Sequence, residues 1–381
     1  MIVSASLTER CNLVCRYCYA SSLSGTDMSA DTAAQVVDFA VSNNPPGDVL
    51  DLCFFGGEPF LCLDRMRETA ARARERARTT DVPLRLRVTT NGTLLDEQAL
   101  AFLEDFAVDL CVSIDGPPQV HNHNRRFFDG AGSATKVVAN LQRALKRLDR
   151  VQVNAVYGPD TLHTLPETVA FFVDLGVRLI HLNLDITASW PAESHPRMRE
   201  VYSRVADLVV AYYTAGIPVT VSLIENKFLL FLKDSDGLED RCGMGTTKFG
   251  IAANGDIYPC ERLIGYGDGT NLCIGRLPSG VDPVRLAAVQ ERSGNRNPEC
   301  SDCSVGRFCV NWCGCTNYHM TGQTDLAAPF LCASEKAAIL VAQSAFTRLI
   351  DNDLFVDHLM AFLKERHSYR TGESKCKATK I

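Results

Sequence analysis

Nowhere in these 381 residues is there a run of the about 18 to 20 apolar residues that a membrane-spanning helix requires, and no basic segment followed by an apolar stretch opens the chain. The first absence excludes a helical membrane anchor and the second a cleaved secretion signal, so a cytoplasmic protein is expected. One-sided charge is missing as well. With 39 Lys and Arg against 45 Asp and Glu the net charge is -6, which offers no uniform basic surface for nucleic acid. Internal repeats are absent. Cysteine, by contrast, is abundant at 16 residues, and in a reducing compartment that count points to metal ligation or redox chemistry rather than cross-linking. A hydrophobic fraction of 46% supports a large core, and the length suggests one large domain and a smaller one.

Up to about residue 190, short apolar runs alternate with longer segments of helical period. Strands are expected at 2–8, 50–55, 84–90, 109–115, 151–157 and 179–186, and helices with acid near the front at 29–44, 63–77, 95–106, 133–148 and 165–176. Units alternating in this way pair their strands in parallel through right-handed crossovers, as in a β/α barrel or a doubly wound sheet. In a barrel, function gathers on the loops after the strands' C-terminal ends. Cys11 follows the first strand, the GGEP turn at 56–59 the second, Asn91 the third and Asp115 the fourth. A further helix is expected at 197–215, and the periodic pattern breaks near 234. Most of the cysteines follow, in the texture of a small module held by metal. A last helix at 333–365 and a basic tail complete a plan of three parts, 1–220, 221–340 and 341–381.

Three thiols crowd the first loop. Cys11, Cys15 and Cys18 are spaced C-x3-C-x2-C, which lets one loop wrap a corner of a cubane cluster with three thiolates and leave the fourth iron open to a small molecule. The same spacing suits a zinc site with a distant fourth ligand. With an aromatic residue, Tyr17, before the last cysteine, the segment resembles the signature of the radical S-adenosylmethionine (SAM) enzymes. GGEP, VTTNG at 88–92 and SIDGPPQVHNHNR at 113–125 resemble the same family. The resemblance implies an α/β fold with a partial (β/α)6 barrel, a [4Fe-4S] cluster on the three cysteines, and SAM at its open iron beside Tyr17. It further implies that Gly56, Gly57 and Glu58 receive the amino group of SAM. Asn91, Ser113, Asp115 and Arg125 would meet its ribose and methionyl carboxylate, with Arg125 as the carboxylate's forked partner. Many members of the family carry an aspartate where Asn122 stands.

Farther along, Cys242 precedes Gly255 and Cys260, while Cys300, Cys303, Cys309 and Cys313 read C-x2-C-x5-C-x3-C and Cys332 follows after a gap. This pattern resembles the SPASM extension of peptide- and sulfatase-modifying radical SAM enzymes, which implies two auxiliary clusters and three [4Fe-4S] clusters in all. By that resemblance Cys300, Cys303, Cys309 and Cys332 hold the second auxiliary cluster, and Cys242, Cys260 and Cys313 the first. Cys273 is expected as the first cluster's fourth ligand, with Cys315 or an open iron as the other choices. Two structural zinc sites are the alternative for this half. Cys53 and Cys111, inside strands, read as small core residues, and Cys62 and Cys376 carry no motif. His121, His123 and His181 read more readily as packed or surface residues than as cavity-facing ones.

The implied chemistry is one-electron reduction of SAM to methionine and a 5′-deoxyadenosyl radical, with net two-electron oxidation of a residue in a polypeptide. Two products fit: a thioether or carbon-carbon cross-link within a ribosomally made precursor peptide, and a formylglycine in a sulfatase. Sulfatase-modifying relatives place an aspartate where this chain has Glu261, so the precursor peptide is the expected substrate, with Glu261 a candidate base. An external one-electron donor such as flavodoxin or ferredoxin is implied. Ten residues precede Cys11, so no leader-binding domain is expected before it, and recognition of a leader would fall to the barrel face, the cysteine-rich second half or a separate leader-binding protein. An iron-sulfur electron carrier or scaffold is the non-enzymatic alternative, but it has no use for GGEP and the polar residues after strand four on one barrel face.

Overall fold

The computed structural model describes residues 1–20, 25–232, 243–265, 272–291, 297–309 and 313–371. Its strands are β1 Ile2–Thr8, β2 Leu13–Cys15, β3 Leu50–Gly56, β4 Leu84–Thr90, β5 Asp109–Ser113, β6 Arg125–Phe127, β7 Val151–Tyr157, β8 Leu179–Leu184, β9 Thr220–Val221, β10 Lys248–Ile251, β11 Asp256–Tyr258, β12 Gly275–Arg276 and β13 Gly280–Val281. All but β2 and β6 form one sheet, in the order β13-β12-β11-β10-β1-β3-β4-β5-β7-β8-β9. From β10 through β1 to β9 every neighbour is parallel, and β10 to β13 are antiparallel. The result is a partial barrel whose first strand carries the later strands on its outer edge.

Helices return the chain between parallel strands: α1 Ala30–Asn43, α2 Leu63–Thr80, α3 Glu97–Asp105, α4 Pro118–Asn124, α5 Ala134–Arg147, α6 Leu165–Asp174, α7 Ser194–Thr214 and α8 Ser222–Phe231. Beyond them come α9 Pro283–Glu291, α10 Gly314–Thr321, α11 Pro329–Leu349 and α12 Asp353–Thr371. Local chemistry sets several starts. Ser29 caps α1 by accepting from Thr32 N at 3.0 Å, and Asp96 caps α3 by accepting from Ala99 N at 2.9 Å.

Period-two patterning sorts the strands' two faces. Val3, Ala5 and Leu7 of β1, Leu50, Leu52 and Phe54 of β3 and Val153 and Ala155 of β7 are buried in the core shared with the helices. Their alternates turn into the barrel and are polar. Arg85 pairs with Asp109, and Arg87 lies 3.7 Å from Asp51. His181 Nε2 meets Gln152 Oε1 at 2.9 Å. Cys53 and Cys111 lie next to Arg87 and Thr89 in register, and Cys111 is buried, as expected of a small core residue. Burial pushes their thiols up to about 12 and about 11, so both are protonated and unreactive near neutral pH.

The six expected barrel strands are present within two residues. The single helix expected at 333–365 is two, because Asn352 breaks the run and caps α12, its Oδ1 accepting from Phe355 N at 2.9 Å. Among the described residues no helix is long and apolar enough to cross a membrane.

Candidate cluster and cofactor site

The loop that leaves β1 carries the three thiols, and a two-stranded ribbon holds it. β2 pairs antiparallel with β6, placing Cys15 opposite Arg125, and Cys18 N donates to Cys15 O at 3.1 Å to turn the chain back. Two donors reach toward sulfur: Leu13 N lies 3.5 Å and Asn91 Nδ2 3.7 Å from Cys11 Sγ. The thiols are near enough to perturb one another, and burial pushes Cys15 up to about 11 and raises Cys11 as well. Three thiols on one loop with N–H donors aimed at sulfur fit an iron-sulfur cluster, whose binding displaces their protons.

The glycines after β3 are required by this same loop. A Cβ on Gly56, whose φ is +134°, would lie 2.2 Å from Thr8 O, and one on Gly57 2.1 Å from Arg10 O. Gly57 N and Glu58 N donate to those two carbonyls, each at 2.8 Å. Glu58 is fully buried. Its Oε1 accepts from Phe60 N at 3.1 Å and Thr90 Oγ1 at 2.7 Å, and its Oε2 from Asn91 N at 2.7 Å. The carboxylate therefore ties β3 to β4 beneath the site. Burial pushes its pKa up to about 7 despite those donors. Folding then favours the protonated form: the stabilisation is complete below the unfolded value of about 4.5 and is lost as pH rises through about 7, a span worth about 3 kcal/mol. Urea midpoints of the metal-free chain are expected to fall between pH 5 and 8, and Glu58→Gln is expected to flatten that fall.

Asn91 likewise turns inward, its Nδ2 donating to Asn12 Oδ1 at 2.8 Å while its Oδ1 accepts from Thr93 N at 3.0 Å. Ser113 ends β5 and is buried. Asp115 and Arg125 face each other. Arg125 Nε donates to Asp115 Oδ1 at 3.1 Å, with side-chain exposures of 8% and 0%. Tyr17 Oη donates to Asp115 Oδ2 at 2.5 Å, and the guanidinium of Arg125 lies 5.2 Å from the Tyr17 ring centre. Tyr17→Phe deletes one hydrogen bond to a buried carboxylate and is expected to cost about 1.5 to 3 kcal/mol in chemical denaturation.

Behind this set stand residues that motif reading missed. His121 Nδ1 accepts from Asp115 N at 3.3 Å and its Nε2 meets Ser133 Oγ at 2.9 Å, which in turn donates to Arg125 O at 3.0 Å. Burial lowers His121 to about 4, so it stays neutral, a packed brace. Asn122 Oδ1 accepts from Ala134 N at 2.9 Å at the start of α5, and His123 meets Asp160 at 2.7 Å in a half-exposed contact.

In the second cysteine set, Cys242 and Cys376 lie outside the described residues. Tight turns wrap Cys300, Cys303 and Cys309, with Gly306 N donating to Cys303 O at 2.9 Å and Cys309 N to Gly306 O at 3.1 Å. Cys332, near the start of α11, lies close enough to Cys300 and Cys303 for their charges to act on it. Cys332 thus shares a neighbourhood with Cys300 and Cys303, although among the described residues no group of three or more His, Cys, Asp or Glu side chains closes around a single metal ion. Cys260 Sγ and Cys313 Sγ each lie beside Cys315 Sγ, at 3.6 and 2.8 Å, while Cys273 Sγ donates to Gly275 O at 3.1 Å. Glu261 follows Cys260 into the barrel. Its Oε1 meets Lys248 Nζ at 3.1 Å and its Oε2 accepts from Ser4 Oγ at 3.5 Å. Burial alone would raise this carboxyl, but Lys248 and Arg262 outweigh it and hold the group below the ordinary carboxylate value. The signal for Lys248 was a lysine opening an otherwise apolar strand.

Residues 5–172 match the radical SAM superfamily. The chain is 22% identical over 375 residues to the cysteine-type anaerobic sulfatase-maturating enzyme of Clostridium perfringens, covering 90% of this chain and 95% of that protein. The solved structure of native anSMEcpe with bound AdoMet and Cp18Cys peptide aligns over 92% of this chain and 98% of that one, with a TM-score of 0.78 and 20% identity. SuiB of Streptococcus suis, bound to precursor peptide SuiA, aligns over 86% of this chain and 75% of its own, with a TM-score of 0.62 and 14% identity. Both likenesses are of fold. Residues 5–172 thus resemble the radical SAM superfamily, and the chain is similar to the anaerobic sulfatase-maturating enzyme of Clostridium perfringens along most of its length.

Proposed function

We propose that this protein is a radical SAM/SPASM maturase that oxidises a residue of a ribosomally made peptide, closing an intramolecular thioether or carbon-carbon cross-link. The observation that carries the reading is Glu261: a buried carboxylate follows directly on a cysteine of the auxiliary set and reaches Ser4 and Lys248 inside the barrel. One side chain thus touches a thiol of the auxiliary set, a lysine, and a serine of the inner face of β1.

The cluster on Cys11, Cys15 and Cys18, when bound, supplies electrons to cleave SAM and so furnishes a radical that takes a substrate hydrogen. The chain's own residues position and exclude. Glu58 and Asn91 brace the floor, the Asp115–Arg125–Tyr17 set fixes the ribbon bearing Cys15, and Glu261 takes the proton that the oxidised substrate releases. Cys300, Cys303, Cys309 and Cys332 hold the second auxiliary cluster, and Cys260 and Cys313, with Cys242, the first. The external partner is a one-electron donor such as flavodoxin or ferredoxin.

Formylglycine formation in a sulfatase is the second reading, favoured by the likeness to the Clostridium perfringens enzyme. Anaerobic turnover with SAM, dithionite and the small polypeptide encoded beside the gene separates the two. Substrate-dependent 5′-deoxyadenosine with loss of two hydrogens and no carbonyl is the expected result. A new carbonyl in a sulfatase peptide assigns the second reading, and no 5′-deoxyadenosine from iron-loaded protein overturns both.

A further inference from the structure

Resting on the peptide reading, we propose that Arg87 receives a carboxylate of the substrate polypeptide inside the barrel, within about three residues of the residue that is oxidised. Arg87 belongs to β4, on the face that turns into the barrel. Its guanidinium makes no hydrogen bond among the described residues, and the one carboxylate within 4 Å of it there, Asp51, stands off at 3.7 Å. Asp51 Oδ1 is buried and has no hydrogen-bond partner either. Adjacent strands thus hold the two groups close without joining them. Burial raises the Asp51 carboxyl in spite of Arg87 and Arg85, which weakens it as a counter-charge. A guanidinium kept inside a barrel with its donors unspent calls for a partner, and a side-chain exposure of 32% leaves it open to one from solution.

The surrounding charges favour an anion there. Arg85 pairs with Asp109 and lies 4.0 Å from Asp51, while Arg150 lies 3.9 Å from Asp109, so three guanidinia share two carboxylates. Burial lowers His181 of β8 and the charge of Arg87 adds to that fall, while the same charge offsets burial at Cys53 of β3 and Cys111 of β5. The guanidinium is therefore central, felt on strands to both sides of its own. In an unmodified polypeptide the anions that match its fork are the carboxylates of Asp, Glu and the C-terminus. Register places this receptor beside the candidate base. Ser4, Cys53 and Arg87 are direct partners on β1, β3 and β4, and Ser4 Oγ donates to Glu261 Oε2 at 3.5 Å. Two strand spacings, about 10 Å, separate Ser4 from Arg87, and an extended peptide covers that in about three residues. A peptide anchored by a carboxylate at Arg87 therefore carries a neighbouring residue to Glu261.

The test is binding of the small polypeptide encoded beside the gene to reconstituted, SAM-loaded full-length protein. Fluorescence anisotropy without reductant reads affinity, and turnover with dithionite then gives KM and kcat. The peptide is compared with forms carrying single Asp→Asn or Glu→Gln changes or a C-terminal amide. One of these forms is expected to bind the parent about 10- to 100-fold more weakly and to raise KM in step, with kcat changed less. Loss in an Asn or Gln form assigns a side chain, and loss in the amide assigns the C-terminus. Arg87→Gln is expected to weaken the unaltered peptide by the same factor and to be indifferent to that one neutralised carboxylate, a non-additivity that a merely structural role does not produce. Arg87→Lys should recover part of the affinity. The peptide comparison needs only the parent protein, so it decides the matter even where Arg87→Gln does not fold. Binding by the parent that no neutralised carboxylate weakens overturns the proposal and leaves the peptide reading intact, as does an equal loss in the parent and in Arg87→Gln. A polypeptide that the parent neither binds nor oxidises overturns the peptide reading, and the proposal with it.

Discussion

Glu261→Gln is expected to lower product formation by about 10²- to 10⁴-fold, the range for removing a positioned proton acceptor. The amide keeps the shape and can still accept from Ser4, but it cannot take a proton, and it removes the carboxylate that meets Lys248 at 3.1 Å. Hydrogen abstraction precedes the lost step, so 5′-deoxyadenosine should still form in the presence of peptide. The ratio of 5′-deoxyadenosine to product, parental near unity, should then rise steeply. Glu261→Asp should recover part of the rate, since a carboxylate remains beside Lys248. Equal turnover in Glu261→Gln and the parent would remove Glu261 from the chemistry and leave it a structural partner of Lys248.

Asp115→Ala should be the most damaging single change to the fold of the first half, costing about 3 to 5 kcal/mol, because it strands a buried charge. The carboxylate accepts from Tyr17 Oη, Arg125 Nε and Val156 N, the last at 3.1 Å, and the side chains of Asp115 and Arg125 have almost no contact with water. With the aspartate gone, Arg125 retains its full charge with no carboxylate to meet it. Because Arg125 stands opposite Cys15, iron retention on the first loop should fall together with stability. Urea unfolding followed by circular dichroism reads the first effect and iron content the second. A loss below about 1 kcal/mol would mean that water or another anion replaces the carboxylate.

The barrel was legible because its strands are long enough for alternation to register and its helices are patterned at 3.6 residues. Lys248 to Ile251 was not, since four residues with Gly250 among them give no period, and the three-residue ribbon of Cys15 and Arg125 is shorter still. The cysteines announced themselves by spacing, yet spacing could not choose between Cys273 and Cys315. Glu58, Asp115 and Arg125 were found by motif, but motif reading gave no sign of their contacts with one another and with main-chain donors. A short charged motif identifies a place in the chain long before it identifies the partner of each charge.

The pairing of Ile2–Ala5 with Lys248–Ile251 has a consequence for how the protein is made. Strand β1 leaves the ribosome first, but one of its edges finds its partner only after about 250 residues have been synthesised, a wait of about 10 to 50 s at ordinary translation rates. Until then Val3 and its neighbours present an apolar strand with an open row of backbone donors and acceptors, the kind of edge that recruits other chains. A nascent chain halted before residue 248 is therefore expected to associate with chaperones, and release of that association should coincide with emergence of the KFGI strand.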